Sequence, residues 1–528
     1  MCSVKTKEKK NKYRVGISLL LVLLLLGMTG CGYAAAPFSG DSGSGEEFTT
    51  LGLEPDFSYE IPVSKPSILV DQLGYAVGSS KVAILEGEDL GENFDVIETQ
   101  TGRRVYRGVI DKKGYDDVTG SYISYGDFSD LDEIGEYYIR SEIVGRSYSF
   151  QIMENPYEEL LENACKQYYL NRCGMVLSSE YAGGAAHNAC HTREAQLKSD
   201  ASVKLDVSGG WHMDENGGKN VVQGCQAINS LLMAYELYPE VFGDEVGIPE
   251  SGNEIPDILD EIRYEVNWLL KMQDVTSGAV YASVSTVDNA TGGTLLYVDG
   301  IHMDATIEFA ATMAKFSYLY QNYDWDYANR CLKAADRAYR YARQYLQDVE
   351  EEKYFYASTE LYRATGAYGY QGVVLKYLSE NPAPDMDNDA VFRGVTTYLA
   401  TKQKVDVNLC NTMIKILLHE AEDISYASKA SKLFVDREKG EEGCAGLLDD
   451  VIRLSVVDHI ITNHEYTTVL ENYLHYFLGR NLNSVSYLDN VGKKSYLEID
   501  EKLGIMNQID LNAELILVLS AVLDQTQN

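Results

Sequence analysis

Between Gly209 and Asn220 the chain reads GGWHMDENGGKN. Glycines on both sides allow a sharp turn, and the acids at its centre, Asp214 and Glu215, could move a proton as general acid or base. Acids in such a turn are also ordinary solvated loop charges, so these two alone define no site. The segment contains His212, and Cys173, Cys190 and His191 precede it in the spacing C-x16-C-H-x20-H. Two thiolates and two imidazoles fill a tetrahedral metal shell with no open position, which is structural and not catalytic chemistry. The spacing is far wider than a zinc knuckle, so from the residues alone core cysteines beside incidental histidines are the simpler reading. His187, His302, His419, His459, His464 and His475 show no ligand spacing. No phosphate loop, dinucleotide fingerprint or nucleophile elbow stands out.

The 528 residues can bury a sizeable core, and 80 acids against 45 bases leave a formal charge of −35. So acidic a surface argues against a nucleic-acid partner. Lys5 to Arg14 carries six bases, and the apolar run Ile17–Leu26 that follows is too short to span a bilayer but suits a signal peptide over residues 1–30. Met28-Thr29-Gly30-Cys31 resembles a lipoprotein cleavage box, so Cys31 is the expected lipidated first residue, anchoring the chain to the membrane on the outer face of a bacterial cell. Of the nine cysteines, seven remain once Cys2 and Cys31 are set aside, an odd number with no dense spacing and so no disulfide framework.

Residues 31–65 are rich in Gly, Ser, Pro and acids without periodicity, which predicts a flexible linker. Over 66–154 short runs alternate with period two: SILVDQLGY, KVAIL, FDVIE and GEYYIRSEIVGRSYSFQIM, the last with Tyr148, Phe150 and Ile152 on one face. This predicts a small β-sandwich. From 157 to 526 the period becomes that of a helix. Ala328, Cys331, Ala335, Ala338 and Ala342 form one apolar stripe, and Ile307, Ala310, Ala314 and Tyr318 another. Pro256 marks the start of a helix whose buried face is Ile258, Ile262, Val266 and Leu269 with Leu270. Roughly ten to twelve helices fit this span.

With these elements in view, ILVDQLGYAVGSSKVAIL resembles the immunoglobulin-like module of one branch of glycoside hydrolase family 9, mostly cellulases. YYLNRCG (168–174), GGWHMDENGGK (209–219), IPESGNEIPDILDE (248–261), ELYRATG (360–366), HYFLGRNLNSVSYL (475–488) and IDLNAELILVLSA (509–521) resemble its catalytic domain. The resemblance implies a mainly α fold, an (α/α)6 barrel over 157–526 behind an Ig-like β-sandwich. It also implies that Cys173, Cys190, His191 and His212 hold a structural Zn2+. Calcium sites known elsewhere in the family are not legible here.

Inverting glycoside hydrolysis needs one carboxylic acid to protonate the leaving oxygen and one carboxylate to activate water, roughly 6.5–9.5 Å apart. The family carries D-A-G-D after GGW and a Glu in N-E-x-A-I-D-x-N-A near the C-terminus. The matching positions here are Met213, Asn216 and Met506, none of which ionises to take either role. Only eighteen residues separate Tyr487 from Met506, without the family's H-H-R element. Asp214, Glu215, Glu498 and Glu501, with Asp500, are acids that could substitute, or solvated charges. Trp211 could stack on a sugar ring or pack its loop, while Trp268 and Trp325 lie in helical patterns expected in the core. The expectation is a surface lipoprotein that binds β-glucan or another polysaccharide without the family's hydrolysis. An active endo-β-1,4-glucanase using displaced acids and an assembly protein that binds no sugar remain as alternatives.

Overall fold

A computed structural model describes residues 59–527 apart from 289–293, 437–443, 462–464 and 494–503. The expected signal peptide, Cys31 and most of the linker lie outside the described residues, as do Glu498, Asp500 and Glu501. No helix among the described residues is long and apolar enough to cross a membrane.

Nine strands between Ile68 and Met153 form the N-terminal sandwich. They run β1 (Ile68–Leu69), β2 (Gly74–Ala76), β3 (Val82–Glu86), β4 (Asn93–Glu98), β5 (Arg104–Asp116), β6 (Ser121–Asp127), β7 (Gly135–Ser141), β8 (Gly145–Arg146) and β9 (Phe150–Met153). The long β5 joins the two layers, pairing with β4 through its first half and with β6 through its second. Tyr75, Phe94, Val96, Phe128, Ile139 and Phe150 fill the space between them, with the aromatic rings of Tyr75, Phe128 and Phe150 in edge and tilted contacts.

Among the described residues twelve principal helices follow: α1 (Glu158–Leu170), α2 (Val221–Leu237), α3 (Asp257–Lys271), α4 (Met303–Tyr320), α5 (Trp325–Ala342), α6 (Glu351–Thr365), α7 (Tyr368–Glu380), α8 (Asp389–Ala400), α9 (Val407–Ala430), α10 (Cys444–Ile461), α11 (Thr467–Phe477) and α12 (Ile509–Gln527). The even-numbered helices make the inner ring of an (α/α)6 barrel: α12 packs on α2, α2 on α4, α4 on α6, α6 on α8, and α10 on α12. Their sequences explain the layering. Outer α5 buries Ala328, Cys331, Ala335, Ala338 and Ala342 along one stripe, whereas inner α4 is buried on nearly every side. Pro256 stands at the cap position before α3, one residue outside the helix, where its missing N–H costs nothing. Trp268 is fully buried as its pattern implies, but Trp325, at the first position of α5, is 64% exposed. Position in the first turn, where a side chain can point off the helix end, overrides the stripe.

Short irregular runs between the first barrel helices form a five-stranded sheet that the periodicity does not reveal. It runs β11 (Asp200–Leu205), β10 (Ala195–Leu197), β14 (Thr294–Val298), β13 (Ser283–Asp288), β12 (Lys219–Asn220), and β12 feeds directly into α2. β10 and β12 are too short for alternation to register, and β11, though six residues long, buries none of them.

The sandwich docks on the barrel through DQLGY (71–75). Asp71 is fully buried; its Oδ1 accepts from the Leu73 and Gly74 amides and its Oδ2 lies 2.8 Å from His475 Nδ1 on α11. Gln72 donates to Ser484 O and Arg480 to Val82 O, completing the seam. Burial pushes Asp71 up and His475 down, so the pair is held by its shared hydrogen bond in a dry environment. His475→Ala removes that hydrogen-bond partner from a buried carboxyl and should cost about 1–3 kcal/mol. Denaturant unfolding of the variant should show a shifted midpoint with sandwich and barrel still melting together.

Candidate functional site

The mouth of the barrel is organised by Arg172, at the end of α1 and 1% exposed. Its guanidinium donates to Glu261 Oε2 on α3 at 3.0 Å and to both oxygens of Glu250 at 3.0 Å, and it lies over the rings of Tyr264 and Tyr169. Burial pushes Glu261 up to about 7, against the pull of Arg172. The backbone of Arg172 bridges to Trp211, the Cys173 amide donates to Gly210 O, and the His212 amide donates to Asn171 O. One short segment therefore fixes the first half of the GGW loop.

Cys173, Cys190, His191 and His212 converge there, with their ligand atoms within 4.8 Å of one another. Cys173 Sγ is 3.6 Å from His191 Nδ1, and Cys190 Sγ is 3.4 Å from His212 Nε2. In a tetrahedral zinc shell neighbouring S and N ligands stand about 3.3–3.8 Å apart, so these two pairs already have the spacing of a four-coordinate shell, and ligand atoms as much as 4.8 Å apart would draw in on binding. Cys190 is held toward the thiolate by hydrogen bonding from Cys173 and from His212, while Cys173 is pushed up. The backbone shows what convergence requires. His191 adopts a left-handed conformation, φ 47°, so that two consecutive side chains reach one point. Gly217, φ +79°, lies where a Cβ would stand 2.3 Å from His191 Cε1, which ties the second glycine pair of the loop to the same group.

The second half of the loop does different work. Asp214 Oδ1 accepts from the Asn216 and Gly218 amides at 2.8 Å, closing the turn on itself, as acids in such turns do. Glu215 is exposed and makes no hydrogen bond or ion pair among the described residues. Met213 accepts the Asn220 amide at its sulfur and packs against the core, and the carbonyl of exposed Asn216 accepts from Thr286. Met506 is 3% exposed, in the turn Ile505–Asn507 ahead of α12, and the Gly504 and Asn507 amides around it donate to Asp489. Trp211 is 0% exposed with its ring against Tyr168, so neither of its faces is open to a sugar, and the stacking role is corrected to packing.

A cavity of about 440 Å³ opens at the N-terminal ends of α2, α4 and α12, and its polar lining is Asn220, Gln223, Gln226, His302, Asp304 and Asp510. Gln223 Nε2 donates to Asp510 Oδ1 at 3.2 Å, and Lys353 Nζ to Asp304 Oδ1 at 3.3 Å. Asp304 and Asp510, absent from the sequence-derived acids, are thus the carboxylates that meet this opening. Their signal was positional, since each is in the first turn of an inner helix. One turn below Asp304 lies Glu308, pushed up to about 7 by burial, with Lys353 the chief opposing influence.

Similarity to known proteins is extensive. The family model "Glycosyl hydrolase family 9" matches residues 157–507, and "Cellulase N-terminal ig-like domain" matches 63–146. A cellodextrinase of Butyrivibrio fibrisolvens is 28% identical over 478 residues, 81% of this chain and 85% of that protein. Endoglucanase D of Acetivibrio thermocellus is 27% identical, covering 80% of this chain and 73% of the relative. A xyloglucan-specific endo-β-1,4-glucanase of Bacteroides ovatus is 25% identical over 85% of this chain and 84% of its own. Among solved structures, a metagenome-derived family 9 endoglucanase superposes with a TM-score of 0.76 at 24% identity, covering 86% of this chain and 98% of that one, a likeness of fold.

Two outcomes follow from the site. Elemental analysis of the purified chain should find one metal per molecule, and Gly217→Ala, by displacing His191, should lower that occupancy together with the melting temperature. For Glu308, the raised carboxyl means that its contribution to stability is fully present below its unfolded pKa, about 4.3, and is lost as pH rises through about 7. Glu308→Gln should therefore flatten the decline of stability over that window, by a few kcal/mol, in denaturant titrations run from pH 4.5 to 8.

Proposed function

The chain belongs to glycosyl hydrolase family 9, and from that premise we propose that it is a lipid-anchored surface protein that holds a β-1,4-linked glucan without cleaving it by the family's inverting route. The observation that carries the reading is the chemistry at the matching positions: Met213, Asn216 and Met506 stand where base and acid are required, and Met506 is buried. A thioether and an amide neither take a proton from water nor give one to a leaving oxygen at neutral pH. Asp214 cannot simply move in, because its carboxylate closes the turn through two backbone amides. The amides and acids at the cavity suit a neutral, hydroxyl-rich ligand, for which each can donate or accept. The Cys173, Cys190, His191 and His212 group takes Zn2+ in this reading, a closed structural site that keeps the loop in place. Anchoring through Cys31 places the protein on the outer face of the cytoplasmic membrane.

A second reading has its own observation. Asp304 and Asp510 reach the cavity from different helices, with α2 between them, an arrangement that could serve acid and base in place of the missing pair. Cello-oligosaccharides and soluble β-1,4-glucans, followed by reducing-end release and by calorimetry, separate the two. Binding without turnover supports the holding role. Turnover that disappears in Asp510→Asn, Asp304→Asn or Glu215→Gln would replace it with hydrolysis by displaced acids, and neither binding nor turnover would leave an assembly role.

A further inference from the structure

Against a chain whose acids outnumber its bases 80 to 45, one groove runs the other way. Arg330, Lys333 and Arg337 line an opening of about 450 Å³ between α5 and the end of α3, with Leu270 and Val275 as its apolar wall. The three bases are at i, i+3 and i+7 and so share one helix face, rising roughly 4.5 and then 6 Å along the axis at 1.5 Å per residue. Among the described residues neither Arg330 nor Lys333 makes an ion pair or hydrogen bond, and both are exposed.

Most of the acids around the groove are engaged elsewhere. Asp336 pairs with Arg340 and accepts from Tyr370, Asp206 pairs with Lys271 and Asp324 pairs with Arg263, while Asp274 accepts from Ser277 and also feels the charge of Arg337. Asp326 is the one acid in the lining, one turn before Arg330. Arg337 is the ordered member. Gln273, 5% exposed, anchors itself to Gly278 O and Ala334 O through Nε2 and accepts from Arg337 Nη2 through Oε1 at 2.5 Å. That leaves the remaining guanidinium donors of Arg337 fixed toward the groove while Arg330 and Lys333 keep their full hydrogen-bonding capacity.

We infer that this groove binds an acidic polysaccharide, specifically a run of uronate sugars in extended conformation. The charge spacing suits carboxylates presented once per sugar unit, and a guanidinium matches a planar carboxylate bidentately. Val275, 83% exposed, and Leu270 supply the apolar contact that a pyranose C–H face takes and that an inorganic polyphosphate chain, having no C–H groups, does not use. The groove lies on the flank of the barrel, so it stands independently of whether the cavity at the α2, α4 and α12 ends binds glucan.

The test titrates oligogalacturonate of six units into the full-length chain in detergent by calorimetry, with cellohexaose and inorganic polyphosphate as comparators. Oligogalacturonate should bind, weakening as salt is raised, and Arg330→Glu with Lys333→Glu should reduce its affinity at least tenfold while cellohexaose behaves as in the parent. Arg330→Gln with Lys333→Gln, which alters charge without reversing it, should give a smaller loss in the same direction and guards against misfolding of the reversed pair. Absence of oligogalacturonate binding, or binding untouched by both double variants, overturns the assignment. Polyphosphate binding as tightly as oligogalacturonate, with the same sensitivity to the variants, also overturns it, because the groove would then be reading charge and not a sugar acid.

Discussion

The guanidinium of Arg172 sits almost without solvent between Glu250 and Glu261, stacked on two tyrosines, and the chain on either side of it has little freedom left. Bringing Arg172 and Glu261 out of water is costly, with Glu250 left partly exposed, and such a cluster is tolerated where its directional bonds select one arrangement over others. Here the selected arrangement joins the end of α1, the loop before α3, α3 itself and the GGW loop. Cys173 follows Arg172 directly, so the metal-ligand group inherits its position from this ion cluster. If Arg172 moved, the left-handed His191, the close-fitting Gly217 and the packed Trp211 would lose the frame against which each is strained or buried.

Everything that holds the GGW loop to the barrel is present: the backbone bridge to Arg172, the thiol and imidazole ligands, the glycines at positions where a Cβ would collide. At the positions that the resemblance matches to the family's acids, the loop and the turn before α12 hold Met213, Asn216 and Met506. The two thioethers sit in partly and fully buried settings, where methionine fills irregular space well. The neighbouring Asp214 contributes to the turn and not to the opening. The polar residues that do meet the cavity come from the first two turns of inner helices, Asp304, Asp510, Gln223 and Gln226, and from the residues just before α2 and α4, Asn220 and His302.

Much of this was legible in the order of residues, because the forces involved are local. A helix that buries one stripe must repeat its apolar residues every three to four positions, and α5 does; a strand must alternate, as the run ending in Phe150 and Ile152 does. The substitution of Met213, Asn216 and Met506 is likewise a matter of identity at a position. Other features were not legible. The five-stranded sheet is assembled from pieces scattered between helices, two of them only two or three residues long, and β11 buries none of its six residues, so it has no apolar face to read. Trp211 looked available to a ligand because nothing in its neighbours says that Tyr168, more than forty residues earlier, covers it. Trp325 looked buried because the stripe it belongs to ends in a first turn open to solvent.

The amino-acid sequence by itself determined the family, the two-domain order, the four metal-ligand candidates and the absence of carboxylates at three matched positions, since all of these reside in residue type and spacing along the chain. Only the tertiary structure decided which charges face one another. Asp304 and Asp510 lie some two hundred residues apart, and Arg337 is ordered by a glutamine sixty-four positions away. Electrostatic and hydrogen-bonding partners act through space over a few ångströms, and that distance is set by how the helices pack, not by their order.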